Sequence, residues 1–279
     1  IKMTFSKNFH LAKRHWYGVT NSIRVLPDFI VIGAAKSGTT SLYHYFKKHP
    51  NIMGSYKKEI GFFDDNYNLG IEWYRSWFPT KTSIEKRTKK NKKNLVYEGS
   101  PGYFQKQWCI KNMYETLPNV KLILVLRNPV DRTYSHYQHT TRIGMKTKIP
   151  FRDLLDRDLK TYEQIKNDDN EYFKNFVLNS YIGPSIYVRL VKEWLKYFRL
   201  EQLLIFSTEE LAKNPNEIFS RIFGFLNIKE EEINTESRQN VGGYDASLDS
   251  DLRQRLIDFF RPHNEELFNT INQRFDWDK

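Results

Sequence analysis

Short apolar runs alternate with stretches of helical periodicity along most of the chain. Residues 29–32 form a run of β-branched and aromatic side chains, which predicts a buried strand. Similar runs predict further strands at residues 51–53, 95–98, 120–126 and 203–206. Helical spacing predicts helices at residues 39–48, 69–78, 108–117, 129–141 and 215–226, and a mainly helical stretch over 151–198. Two last helices are predicted to begin at Ser247, as an N-cap, and at Pro262.

This alternation of strands and helices predicts an α/β fold. Right-handed crossovers between successive strands give a parallel sheet, so we expect a P-loop-like three-layer fold with a central parallel sheet flanked by helices. Such folds bind ligands at the carboxyl edge of the sheet, where Gly33, Glu98 and Arg127 are expected to lie. We expect one domain over residues 27–279. Residues 1–26 show no clean period and are expected to form an N-terminal arm that packs or is partly disordered.

The turn after the first predicted strand carries the clearest candidate chemistry. Gly33 and Gly38 bracket it, and a helix is predicted to begin directly afterwards. Backbone N–H groups at a helix N-terminus and the positive end of the helix dipole attract anions. Lys36 adds a full positive charge, and hydroxyl donors are present at Ser37, Thr39 and Thr40. The turn is therefore predicted to bind a phosphate-like group, and a tight turn needed only for packing is the alternative.

A second anion-binding position is predicted at the end of the longest strand. In a P-loop kinase the corresponding strand ends in an aspartate near Mg²⁺, and Lys and Ser or Thr directly follow the second glycine of the loop. Here the strand ends in Arg127, and Lys36 lies inside the loop. Asn128 and Pro129 begin a helix that carries Ser135 about two turns along. This spacing favours a ligand with two separated anionic groups and no divalent ion. The alternatives are a Ser135 bonded to its own backbone and a surface Arg127.

Composition narrows the set of partners and excludes some kinds of site. The formal net charge is +11, from 44 Lys and Arg against 33 Asp and Glu, which indicates an acidic cofactor, polymer or nucleic acid as partner. Cys109 is the only cysteine, which excludes an internal disulfide and a cysteine-based zinc site. His136 and His139 share a helix face without acidic or cysteine companions, so no metal site is predicted and both are interpreted as ordinary histidines. Seven basic residues and one acid over 81–93 predict a solvated mobile loop, with a grip on a polyanion as the alternative.

Three spaced motifs resemble those of the sulfotransferases that use 3′-phosphoadenosine 5′-phosphosulfate (PAPS). They are the loop over residues 35–40, the segment Lys58-Glu59-(x2)-Phe62-Phe63-Asp64, and the spacing Arg127-Asn128-Pro129-(x5)-Ser135. The nearest likeness is to the Golgi-type heparan sulfate enzymes and their bacterial relatives. Residues 194–198, 203–206 and 259–264 are similar as well, so the likeness covers roughly residues 27–277.

The resemblance implies transfer of a sulfuryl group from PAPS to an acceptor hydroxyl, with release of PAP and without a metal. It makes Glu59 the general base, and it implies that Lys36 stabilises the negative charge that grows on the departing phosphate oxygen. The 5′-phosphosulfate is expected in the loop of Ala35, Lys36, Ser37, Gly38, Thr39 and Thr40. The 3′-phosphate is expected on Arg127 and Ser135. A late segment with Arg238, Gly242 and Gly243 is expected to close over the nucleotide.

The acceptor side departs from the heparan pattern. Gly61, Gly99 and Thr40 stand where the heparan enzymes commonly have histidine, lysine and arginine, so heparan sulfate itself is not assigned. Substrate contacts are expected from Lys58, Asp64, Ser100 and Tyr103. We expect a carbohydrate or polysaccharide acceptor, with a small hydroxylated metabolite as the alternative. A surface ion pair with Lys57 or Lys58 is the competing interpretation of Glu59.

Two other function classes stay open at this point. A P-loop kinase would require Mg²⁺ and hydrolyse ATP, and a polyanion binder would show steep salt dependence with oligonucleotides. The resemblance favours neither, and no nucleic-acid partner is expected. The apolar runs are too short to cross a bilayer, so no membrane contact is predicted for this segment. Because the sequence begins with Ile1, we expect chain upstream of it. Two locations stay open: the cytoplasm, as for a bacterial-type enzyme, or the Golgi lumen, for a segment whose upstream anchor has been removed.

Overall fold

The computed structural model describes residues 17–87, 93–144, 149–167, 171–230 and 248–277. In this part of the chain five parallel strands form one sheet in the order β2-β3-β1-β4-β5. The strands are β1 (Phe29–Gly33), β2 (Ile52–Gly54), β3 (Leu95–Gly99), β4 (Lys121–Leu126) and β5 (Leu203–Ser207). The predicted α/β fold with a central parallel sheet is confirmed, and β1 occupies its centre.

Helices cover both faces of this sheet. They are α1 (Thr39–Lys48), α2 (Gly70–Arg75), α3 (Lys81–Arg87), α4 (Gln107–Thr116), α5 (Pro129–Arg142), α6 (Phe151–Ile165), α7 (Glu171–Asn179), α8 (Tyr187–Leu195), α9 (Thr208–Lys213), α10 (Pro215–Leu226) and α11 (Ser250–Ile271). The helix predicted over 69–78 is shorter than expected. It ends at Arg75, because the N–H groups of Trp77 and Phe78 donate to carbonyl oxygens three residues earlier, as in a turn. None of the described helices is both long and apolar enough to span a membrane.

The hydrophobic core has two parts, one on each face of the sheet. Alternate residues of a strand point to opposite faces, and every residue of β1 is buried. Ile30 and Ile32 pack into the larger part with residues of α4, α8 and α11. Phe29 and Val31 pack into the smaller part with residues of α1 and α10. Because helices cover both faces of the sheet, the turns at its carboxyl edge are the place where a ligand-binding site can form.

The described part of the N-terminal arm packs against this domain. The Arg24 guanidinium is 2 % exposed and donates to the Phe78 carbonyl oxygen at 2.6 Å and to the Thr20 hydroxyl. The stacked rings of Tyr17 and Tyr56 lie against it. Residues 17–26 are therefore held in place, and residues 1–16 lie outside the described residues.

The prediction of a mobile loop over residues 81–93 is wrong for its first half. Residues 81–87 form α3, although their only large apolar side chain is Ile84. The Thr80 hydroxyl accepts from the Ser83 N–H at 3.1 Å, as a helix N-cap does. A local cap thus begins a helix that hydrophobic periodicity does not reveal. Residues 88–92 lie outside the described part.

The predicted break at Pro262 is also wrong. One continuous helix, α11, runs through this proline, and Asp249 caps it by accepting from the N–H groups of Asp251 and Leu252. An interior proline costs a helix about 3 kcal/mol. Buried residues before and after Pro262 keep the helix continuous, among them Leu256, Phe260 and Leu267. Ser247, the predicted cap, lies outside the described residues.

Candidate functional site

Two side chains from other elements donate hydrogen bonds to the turn between β1 and α1. The Thr208 hydroxyl, at the start of α9, lies 2.9 Å from both the Ser37 and the Leu126 carbonyl oxygens and shares its one hydrogen between them. The Arg132 guanidinium, on α5, donates to the Ala35 carbonyl oxygen at 3.2 Å. These bonds fix the turn through its carbonyl groups. The N–H groups of Ser41 and Leu42 donate to the Gly38 carbonyl oxygen, so the N–H groups of Thr39 and Thr40, at the start of α1, are the ones left to bind an anion.

Removal of the Thr208 hydroxyl is expected to destabilise this arrangement. In Thr208→Val the side chain keeps its shape, but two carbonyl oxygens lose the one hydrogen that they share, which is expected to cost about 1–3 kcal/mol in the free energy of unfolding. Chemical denaturation measures this loss, and Thr208→Ser, which keeps the hydroxyl, is the matched control. An unfolding free energy for Thr208→Val equal to that of Thr208→Ser would contradict the bracing role.

Arg132 places a buried positive charge behind the turn. The residue is 1 % exposed, and its guanidinium also donates to the Tyr181 carbonyl oxygen and the Ser185 hydroxyl, each at 3.3 Å. Burial lowers the pKa of Arg132 to about 10, so the group still carries its charge at neutral pH. Arg132 is not among the site residues predicted from the sequence. No local pattern identifies it, because its contact with Ala35 spans 97 residues.

Arg127 and Lys36 lie on the same edge of the sheet. The Arg127 guanidinium donates to the Lys36 carbonyl oxygen at 3.4 Å, and the Arg127 carbonyl oxygen accepts from the Tyr187 hydroxyl at 2.9 Å. Asn128 caps α5 as predicted, since its side chain accepts from the Val130 N–H at 3.0 Å. Ser135 follows on the buried face of this helix and is 2 % exposed. The two predicted anion-binding positions are therefore neighbours in space.

His139 belongs to the same region, although the sequence analysis interpreted it as an ordinary histidine. It lies one helical turn beyond Ser135 on α5. Burial and the nearby positive charges of Lys36 and Arg142 lower the pKa of His139. The spacing of four residues from Ser135 was the signal that could have placed it at the site.

Glu59 stands beside the turn through its neighbour Lys58. The Lys58 ammonium donates to the Thr40 hydroxyl at 2.9 Å and lies 3.3 Å from a carboxylate oxygen of Glu59. The Glu59 side chain is 54 % exposed, whereas Ile60 and Phe62, which follow it, are almost fully buried. An accessible carboxylate is thus carried on a segment anchored in the core. The ion pair between Glu59 and Lys58, given above as the competing interpretation, is present, and through Lys58 it connects Glu59 to the predicted anion-binding turn, residues 33–40.

Backbone strain is concentrated at two of the predicted site residues. In the described part, four residues other than glycine have a positive φ: Lys36 (73°), Glu59 (58°), Asn227 (54°) and Asn272 (50°). The two asparagines end helices, where this conformation is common. For lysine and glutamate it costs about 1–3 kcal/mol, and such strain clusters at functional sites. The outliers support a functional assignment for Lys36 and Glu59.

The remaining predicted substrate residues are more enclosed than Glu59. Ser100 and Tyr103 are 4 % and 1 % exposed, and both hydroxyls donate to the buried carboxylate of Glu98. Asp64 pairs with the Lys106 ammonium and accepts from the indole N–H of Trp108 at 3.0 Å. Ser100 and Tyr103 are therefore buried against Glu98, whereas Asp64 lies beside the exposed ring of Trp108.

Two further predictions concern a late segment of the chain and the presence of a metal site. Arg238, Gly242 and Gly243, expected to close over the nucleotide, lie outside the described residues. Within the described ranges, no group of three or more His, Cys, Asp or Glu side chains is arranged to hold a metal ion.

Comparisons with known proteins agree on one family. The model of the family described as "Sulfotransferase domain" matches residues 26–266. A membrane-associated sulfotransferase, kil1, of Dictyostelium discoideum is 28% identical over 93% of this chain and 68% of its own length. Bifunctional heparan sulfate N-deacetylase/N-sulfotransferase 2 of Mus musculus is 29% identical over 89% of this chain, which spans only 30% of that longer protein. The crystal structure of a sulfotransferase from Alicyclobacillus acidocaldarius superposes with a TM-score of 0.66 at 26% identity, covering 91% of this chain and 100% of that one.

Proposed function

The chain belongs to the sulfotransferase domain family and is a sulfotransferase, and from that premise we propose that it transfers the sulfuryl group of PAPS to a hydroxyl of a carbohydrate acceptor. One observation carries the proposal. The Lys58 ammonium contacts both the Thr40 hydroxyl of the anion-binding turn and the Glu59 carboxylate. A candidate base therefore stands next to the place where the donor's reactive end would bind.

The hydrogen-bond donors and positive charges of the site fit the two anionic ends of PAPS. Lys36, Thr39, Thr40 and the first-turn N–H groups of α1 would hold the 5′-phosphosulfate. Arg127 and Ser135 would hold the 3′-phosphate, because Arg127 donates to the Lys36 carbonyl oxygen and Ser135 lies on α5, the helix that follows Arg127. The buried charge of Arg132 adds positive potential behind the turn. The segment with Arg238, Gly242 and Gly243 stays a proposed third contact.

The proposed reaction is a single in-line displacement at sulfur. The acceptor hydroxyl oxygen forms the new bond to sulfur as the bond between sulfur and the 5′-phosphate oxygen breaks. Glu59 takes the proton of the hydroxyl, which makes the oxygen a better nucleophile. Lys36 stabilises the negative charge that develops on the departing phosphate oxygen, and PAP leaves. Every proton and electron pair in this step is accounted for without a metal ion.

A glycan is the acceptor that the surroundings of Glu59 favour. Relatives of this chain include enzymes named for heparan sulfate. The Trp108 ring is 44 % exposed and donates to Asp64, which lies on the segment that follows Glu59. An exposed indole beside a carboxylate offers a stacking surface and a hydrogen-bond acceptor for a sugar ring.

The proposal predicts that PAP raises the melting temperature without Mg²⁺. At a PAP concentration about 100 times its Kd, binding adds about 2.7 kcal/mol, which is expected to raise the Tm by roughly 5–10 °C for a chain of this size. AMP, which lacks the 3′-phosphate, is the matched ligand and is expected to give a smaller shift. Differential scanning fluorimetry measures both.

Transfer itself is tested with ³⁵S-labelled PAPS and a panel of glycans, phenols and small alcohols. Label is expected to move to at least one glycan. Label that moves only to small alcohols or phenols would overturn the acceptor assignment. Stabilisation by MgATP and not by PAP, together with ATP hydrolysis, would overturn the donor assignment in favour of a kinase.

A further inference from the structure

A buried carboxylate, Glu98, lies under the acceptor side of the sheet edge and takes no part in the reaction proposed above. It is 0 % exposed and stands near the end of β3. Three hydroxyls donate to it: Tyr74 at 2.6 Å on one oxygen, and Ser100 at 2.5 Å and Tyr103 at 2.8 Å on the other. Among the described residues it has no ion-pair partner. Burial raises the pKa of Glu98, and the three donors oppose that shift.

One of these donors connects Glu98 to the segment that carries Glu59. The Ser100 hydroxyl accepts from the Gly61 N–H at 3.2 Å, across 39 residues of sequence. A hydroxyl has a single hydrogen, and Ser100 gives it to Glu98. The lone pairs of Ser100 therefore remain for Gly61, and Glu98 determines which way the hydroxyl points.

The turn that contains Ser100 is itself fixed to the central strand. The Ser100 N–H donates to the Val31 carbonyl oxygen at 3.2 Å, and the Phe104 N–H donates to the Ile32 carbonyl oxygen at 2.9 Å. A Cβ on Gly33 would come within 2.5 Å of Phe104, so this turn lies directly against the end of β1. The strand that leads into the anion-binding turn thus also supports the turn that holds Gly61.

We propose that Glu98 and Ser100 are positioning residues that set the place of Glu59 relative to the sulfur of PAPS. This inference rests on the proposed function, since it assigns a role within that reaction. The chain of contacts runs from Glu98 through Ser100 to the Gly61 N–H, two residues after Glu59. Glu59 and Gly61 both have left-handed backbones, with φ of 58° and 66°, so this tight turn keeps its shape only while its anchors hold. The Tyr74 hydroxyl donates to the other carboxylate oxygen of Glu98, not to the oxygen that Ser100 contacts.

The test compares Ser100→Ala, Ser100→Thr and Tyr74→Phe in the full chain, with labelled transfer, PAP binding and Tm measured for each. Ser100→Ala is expected to lower kcat about 10- to 100-fold, the effect of a catalytic group displaced by about 1 Å. The KM for PAPS and the Kd for PAP are expected to stay within about twofold, because the donor site is untouched. Ser100→Thr keeps the hydroxyl and is expected to restore kcat. Tyr74→Phe removes another donor to Glu98 without breaking the bridge to Gly61, and its kcat is expected to match the wild type.

The outcomes separate this inference from the proposed function. If the wild type transfers sulfate and Ser100→Ala does so at the same kcat, the positioning role is wrong and the function stands. The same conclusion follows if Tyr74→Phe loses as much kcat as Ser100→Ala. The loss of kcat would then come from a less stable protein and not from the broken bridge to Gly61. If Ser100→Ala does not fold, Ser100→Cys, which fills the same volume with a weaker donor and acceptor, is measured against the same expectation. A wild type that transfers no sulfate to any acceptor would overturn both proposals.

Discussion

Replacement of Glu59 by glutamine is expected to lower kcat about 100- to 10,000-fold, the usual contribution of a general base. The amide keeps the size of the side chain but cannot accept the proton of the acceptor hydroxyl. Glu59 is exposed and pairs only with its neighbour Lys58 among the described residues, so the fold does not depend on its charge. The Kd for PAP, measured by calorimetry, is expected to stay within about twofold of the wild type, because the proposed PAP contacts lie on other residues.

Glu72→Gln is the matched control for this experiment. Glu72 is equally exposed and pairs with Arg75 on α2, away from the anion-binding turn. Its replacement is expected to leave kcat unchanged. A Glu59→Gln protein with near-normal turnover would show that the base lies elsewhere, and His139, near Lys36, would then be the next group to replace.

Replacement of Arg127 by alanine is expected to weaken PAP binding about 10- to 100-fold. A hydrogen bond to a charged group contributes about 1.5–3 kcal/mol, and each 1.4 kcal/mol is a factor of ten in Kd. The loss should be confined to ligands with a 3′-phosphate. Calorimetry is therefore expected to give the same Kd for adenosine 5′-phosphosulfate, which lacks that group, in wild type and variant.

Arg221→Ala controls for the loss of an arginine from the packed part of the protein. Arg221 on α10 is half-buried and donates to the Ile205 carbonyl oxygen at 3.1 Å, much as Arg127 donates to Lys36. Its replacement is expected to leave the Kd for PAP unchanged. Equal losses for PAP and adenosine 5′-phosphosulfate in Arg127→Ala would place Arg127 on the 5′-phosphosulfate and contradict its assignment.

Local sequence signals were sufficient to predict the sheet and the positions of several residues of the proposed PAPS site. β1 and β4 are buried on both faces, so each forms an unbroken apolar run that is visible in the sequence. Asn128 and Pro129 mark the start of α5 within one residue, because capping is a local interaction. Gly33 and Arg127 come to one edge because parallel strands align their carboxyl ends.

Other features depend on contacts between distant segments, and the sequence did not reveal them. Arg132 bonds to Ala35 across 97 residues, and no local pattern distinguishes it from a surface arginine of an amphipathic helix. The bridge that the Ser100 hydroxyl makes between Glu98 and Gly61 spans distant segments and is not visible in the sequence, and the predicted contact of Ser100 with substrate stays a prediction. The continuity of α11 through Pro262 likewise comes from tertiary packing that outweighs local propensity.

The order of the strands has a consequence for changing what this protein modifies. β1 lies between β3, whose following turn supports Glu59, and β4, which ends at Arg127. In the reaction proposed above, recognition of the nucleotide and recognition of the molecule that receives sulfate thus fall to opposite neighbours of one strand. We therefore expect that mutations confined to the β3 side would change the acceptor while the β4 side kept its hold on the donor, which would suit the scaffold to evolution toward new sulfated products.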